Sequence, residues 1–111
     1  MTPAEEYFYQ LVDEIPDVQL GKMFGTLCMK TPNGKAAAMF WRDDIVVKLN
    51  DDFLHEVISF EGAKLFAPMD GRPMKEWVQI PYAYKDRWKE FALIAVESVK
   101  LLKKKETKKK I

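Results

Sequence analysis

The chain has 111 residues, 48% hydrophobic and 13% aromatic, a size and composition that predict one globular domain and exclude a disordered one. No apolar run approaches the roughly 20 residues of a membrane span, and a lone cysteine, Cys28, rules out an intrachain disulfide. The net charge of +1 conceals an asymmetry: residues 100–111 hold seven Lys and one Glu, a net of +6, while residues 1–99 hold 11 Lys+Arg and 16 Asp+Glu, a net of −5.

The first ten residues, MTPAEEYFYQ, are acidic where a secretory signal is basic, and no apolar h-region follows. This predicts a cytoplasmic protein. The first element is a helix over 3–15, with Ala4, Tyr7, Phe8, Leu11, Val12 and Ile15 on one stripe. Thr2 and Glu5 form a capping box, Pro3 suits the first helical position, and Pro16 ends the helix. PDVQLGK reads as a connector. A strand follows over 23–30, MFGTLCMK, then the Asn33-Gly34 hairpin signal, a return strand over 36–42, a turn at Asp43-Asp44 and a strand over 45–50. Asp51 or Asn50 can cap a short helix whose apolar face is Phe53, Leu54, Val57 and Ile58, with Gly62 at its C′ position.

The stretch 65–81, LFAPMDGRPMKEWVQIP, reads as a β-hairpin. Met69-Asp70-Gly71 supplies the turn, Pro68 and Pro73 flank it, and Met74, Val78 and Ile80 share one parity. Lys75, Trp77 and Gln79 share the other. A long helix over about 85–104 follows, with Trp88, Phe91, Ala92, Ala95, Val99 and Leu102 as its stripe and Ile94 and Leu101 widening it. The order is α-β-β-β-α-β-β-α. It predicts an α+β two-layer domain: one antiparallel five-stranded sheet with helices on one face, over residues 1–102, and a basic tail over 103–111. The opposite sheet face would carry Trp41 or Trp77, and is the place to expect a partner.

No catalytic constellation emerges. One His and one Cys are too few for a usual zinc site, and Asp43-Asp44 and Asp51-Asp52 lack EF-hand spacing. His55 and Ser59 lie four apart on the short helix, a spacing that reads as a solvated face. Gly21-Lys22-Met23-Phe24-Gly25 fits neither phosphate-loop pattern. The methionines fall in or beside strands, where they fill a core. We therefore expect no enzyme activity, no cofactor and no metal. An acidic body is a poor nucleic-acid platform, so any polyanion contact would come from the tail lysines Lys103, Lys104, Lys105, Lys108, Lys109 and Lys110 or from a local patch.

Met23-Phe24-Gly25, the Lys48-Leu49 pair and the late run Met74-Lys75-Glu76-Trp77-Val78-Gln79-Ile80-Pro81 resemble, in this order and spacing, the TfoX N-terminal-domain family, which is related to YjbR-like proteins. The likeness spans roughly residues 8–102. It implies an α-β(3)-α-β(2)-α fold and a bacterial, non-enzymatic domain akin to the N-terminal part of competence regulators that work with transcription machinery. The expected mode of action is protein–protein contact or self-association, with Lys48, Lys75, Trp77 and Trp41 as candidate contact residues. The alternative expectation is a nucleic-acid accessory protein that uses the lysine tail.

Overall fold

The computed structural model describes residues 2–23, 25–67 and 76–102. Its elements are α1 (Pro3–Glu14), β1 (Gln19–Met23), β2 (Thr26–Lys30), β3 (Ala36–Trp41), β4 (Asp44–Lys48), α2 (Asp51–Ile58), β5 (Lys64–Leu65), β6 (Trp77–Ile80), a 3-10 turn (Tyr82–Tyr84) and α3 (Lys85–Val99). Among the described residues the strands form one sheet of six, in the order β1-β2-β3-β4-β6-β5, with every neighbouring pair antiparallel. The fold is α+β, as expected. The sheet has one strand more than expected.

The extra strand arises where the sequence shows least periodicity. Residues 19–22, read as part of a connector, carry a glycine and a lysine and no alternation; with Met23 they form β1. They pair nonetheless with β2 from Gln19↔Lys30 to Met23↔Thr26. Gly25, at φ 75°, stands between the two strands, so MFGTLCMK is divided between them rather than forming one. An edge strand is held by main-chain bonds to one neighbour, and these need no apolar alternation.

The next turns are also reassigned. Trp41 pairs with Asp44, so the turn residues are Arg42 and Asp43, both left-handed at φ 50° and 67°. That is the primed geometry whose twist suits a two-residue hairpin. Of the two candidate caps for α2, Asn50 is the one used: its side chain accepts from Phe53 N at 3.4 Å. The helix ends at Ile58, so Gly62 is not its C′ residue. Gly62 sits in the following turn at φ 88°, where a Cβ would stand 3.1 Å from the Pro81 ring. β5 and β6 pair antiparallel through Lys64↔Gln79 and Leu65↔Val78, as the hairpin reading of 65–81 requires. The expected turn there, with Pro68, Met69, Pro73, Met74 and Lys75, lies outside the described residues, as do the tail lysines.

The helices cover one face of the sheet. Phe8 and Leu11 of α1, Val57 of α2, and Trp88, Phe91, Ala92, Ala95 and Val96 of α3 pack on Met29, Ala38, Phe40, Ile45, Val47, Val78 and Ile80. Trp88 is fully buried, and its indole N–H donates to the Pro81 carbonyl at 3.1 Å. Thr2 caps α1, accepting from Glu5 N at 3.2 Å. Lys89 reaches from α3 to Glu14 of α1 at 3.2 Å. The hydrogen bond from Gln10, and after it the contact with Lys89, hold the Glu14 carboxyl below its ordinary value. α3 stops at Val99 instead of running to 104. Leu101 is 82% exposed and Leu102 42%, so neither joins the stripe; Val96 does.

Candidate functional site

Strand parity sends Cys28, Met39, Val46 and Trp77 to the face away from the helices. There they form a second apolar cluster with Phe66, and Met23, Ala36 and Trp41 pack against it. Trp41 lies edge-on to Phe66, ring centroids 5.1 Å apart at 79°. Trp77 is only 8% exposed. Both tryptophans are thus on the expected face, but Trp77 is packed into it rather than offered to solvent. A sheet buried on one side only would leave Met39 and Val46 wet. Here both are fully buried.

The polar groups of this face are ordered too. The Gln79 amide donates to Asp44 Oδ2 at 2.7 Å across the β4–β6 pair. The Thr26 hydroxyl donates to the Phe40 carbonyl at 2.7 Å. Lys48 lies opposite Trp77 in the ladder and holds its ammonium 6.0 Å from the centre of the indole ring. Arg42 does the same for Trp41 at 5.3 Å. Burial pushes the Cys28 thiol up from its ordinary value, although Lys30 nearby acts in the opposite direction. A raised thiol pKa means less thiolate, the opposite of what a nucleophile needs.

At one end of the face lies a groove of about 290 Å³ lined by Lys22, Met23, Lys30, Gly34, Lys35, Ala36, Lys48 and Trp77. Four lysines border it, and no carboxylate does. Lys30 pairs with Ala36 on one side and Gln19 on the other. Gly21 makes room for it. A Cβ at position 21 would stand 3.0 Å from the Lys30 stem, which therefore lies flat over the β1 backbone. Of the other described lysines, Lys89 is held by Glu14 and Lys100 by Asp17 at 3.3 Å and Glu97 at 3.0 Å, while Lys64 and Lys85 make no ion pair among the described residues. None of the four groove lysines has an ion-pair partner among the described residues.

Of the expected contact residues, the structure brings Lys48 and Trp77 together and leaves Trp41 at the opposite end of the same face. Lys22, Lys30 and Lys35 were not singled out from the sequence. The alternation of β2 and β4 puts Lys30 and Lys48 on one face, but only the register places them on the same side of a groove. The His55–Ser59 pair makes no joint site, since the Ser59 hydroxyl donates to the Glu56 carbonyl at 2.6 Å. No group of three or more His, Cys, Asp or Glu that could hold a metal occurs among the described residues. No described helix is long and apolar enough to cross a membrane.

Comparison of the chain with protein-family models, with curated proteins and with solved structures finds no match.

Proposed function

We propose that this chain is a non-enzymatic binding domain of bacterial cytoplasm, of the kind its likeness to TfoX N-terminal domains implies, and that it acts by protein–protein contact beginning with its own second copy. The free edge of β1 carries this reading. β1 ends the sheet, and no described strand pairs with its outer side. Its Leu20 is 45% exposed. The opposite edge, β5, has two residues, too few to recruit a partner strand. An unpaired edge of five residues without proline is a template for strand addition, and a twofold axis would pair β1 with its own copy antiparallel. Light scattering tests this. The wild type should be a dimer at high concentration, and Leu20→Lys should be a monomer with the same circular dichroism. A wild type that stays monomeric at every concentration rejects the reading.

A second reading, a nucleic-acid accessory role for the lysine tail, is favoured by the net charge of +6 over residues 100–111. Asn33 donates to the carbonyls of Val99 at 2.9 Å and Leu102 at 3.0 Å, which fixes the end of α3 beside the β2–β3 turn.

A further inference from the structure

The four lysines of the groove come from four segments, and each segment has a fixed backbone. Lys22 lies on β1 opposite Leu27. Lys30 lies on β2, with its stem against the backbone at Gly21. Lys35 closes the β2–β3 turn. Its carbonyl accepts from Thr31 N at 2.9 Å and from the Thr31 hydroxyl at 3.2 Å, and its N–H donates to Asn33 Oδ1 at 3.2 Å. Lys48 lies on β4, its ammonium 6.0 Å from the centre of the Trp77 ring. Lys30, Lys35 and Lys48 are half-buried. Residues 1–99 hold 11 Lys and Arg in a body of net charge −5, and four of the 11 border this one groove. Exposed Glu76 lines the neighbouring cavity of about 160 Å³ together with Lys48, yet forms no ion pair with it. Like charges gathered in this way repel one another and destabilise the folded chain. A bound anion would remove that repulsion.

From this geometry we infer that the Lys22, Lys30, Lys35 and Lys48 groove binds a small molecule that carries two phosphate groups. Charge sets the number. A phosphate monoester carries about −1.5 to −2 at pH 7, so two such groups match four ammoniums. Residue type sets the chemistry. Lysine offers a point charge suited to phosphate, whereas a planar carboxylate is best held by the fork of arginine, and no arginine borders the groove. Size sets the class. A volume of about 290 Å³ lies at the low end for small-molecule sites. Met23, Ala36 and Trp77 add an apolar wall for the carbon part of the ligand. A nucleic-acid strand brings one charge per phosphate, so the same match would need four phosphates in a row within this one groove.

The test is isothermal titration calorimetry of the full chain at low salt with inorganic pyrophosphate, orthophosphate and a short DNA duplex. Pyrophosphate should bind one-to-one, at least about 10-fold more tightly than orthophosphate, because each charge-assisted contact is worth about that factor or more. Lys30→Gln with Lys48→Gln should weaken pyrophosphate at least about 10-fold, and Lys22→Gln with Lys35→Gln should do the same. Both variants should keep the circular dichroism and the urea midpoint of the wild type, or exceed that midpoint, since they relieve repulsion. Replacing the six lysines of residues 103–111 by Gln should leave one-to-one pyrophosphate binding in place. A wild type that does not bind pyrophosphate overturns the assignment, and so does an affinity that neither groove pair changes. DNA bound more tightly than pyrophosphate, and lost in both groove variants, would assign the groove to backbone phosphates of nucleic acid instead of a small molecule.

Discussion

Asn33 shows how much one side chain can connect. In the sequence it is half of a turn signal, and it performs that role: Gly34, at φ 83°, follows it, and Lys35 N donates to its Oδ1 at 3.2 Å. Thr31 donates its hydroxyl to the same oxygen. The amide nitrogen, though, serves a helix 66 residues away. Helix C-termini leave carbonyls short of partners; Asn33 donates to that of Leu102 and to that of Val99, which also accepts from Leu102 N at 3.0 Å. Asn33→Ala should cost about 1–3 kcal/mol, measured by urea denaturation. Asn33→Asp keeps the acceptor and loses both donors, and it sets a negative charge against the helix C-terminus. It should be at least as damaging as alanine, whereas a turn-only role would leave aspartate neutral. Cys28 gives a second test at this scale. Its raised pKa favours the folded chain while the thiol is protonated, so the contribution is present below the ordinary value of 9.0 and is lost as pH rises beyond it. A thiol reagent at pH 8 should react only after denaturant is added; prompt reaction of the native chain would contradict the burial.

Among the elements, the helices were the most legible. Their stripes follow from 3.6-residue periodicity, and Ala4, Phe8, Leu11, Trp88, Phe91, Ala92 and Ala95 are buried where that periodicity puts them. The end of α3 was not legible. Leu101 and Leu102 continue the pattern, but the β2–β3 turn caps the helix first. Phe8→Ala should cost about 3–5 kcal/mol, because Phe8 is fully buried with its ring 5.8 Å from that of Phe40. Leu101→Ala should stay within about 0.5 kcal/mol. Equal losses would mean that the helix runs on and buries Leu101. Strand parity was legible too, and it assigned Val78 and Ile80 to one face and Trp77 to the other. What parity leaves open is whether the second face is wet. The cluster of Cys28, Met39, Val46, Phe66 and Trp77 makes it a second dry layer.

For the whole molecule, the two apolar layers share the same strands, so neither can lose its packing without disturbing the other. Trp88 reports the helix–sheet core, and Trp41 and Trp77 report the outer face. Single-tryptophan variants that retain Trp88 or Trp77 alone should unfold with coincident midpoints in urea. An earlier transition for the Trp77 reporter would mean that the outer layer melts by itself. The sequence alone determined the α+β class, the helix faces, the parity of the central strands and the separation of an acidic body from a basic tail, because these depend on residue type and spacing within about ten positions. Only the tertiary structure decided the sixth strand, the end of α3, and the convergence of Lys22, Lys30, Lys35 and Lys48 around one groove. Each depends on which backbones lie side by side. Strand register and a cap that reaches across 66 residues set that arrangement, and no local spacing records either.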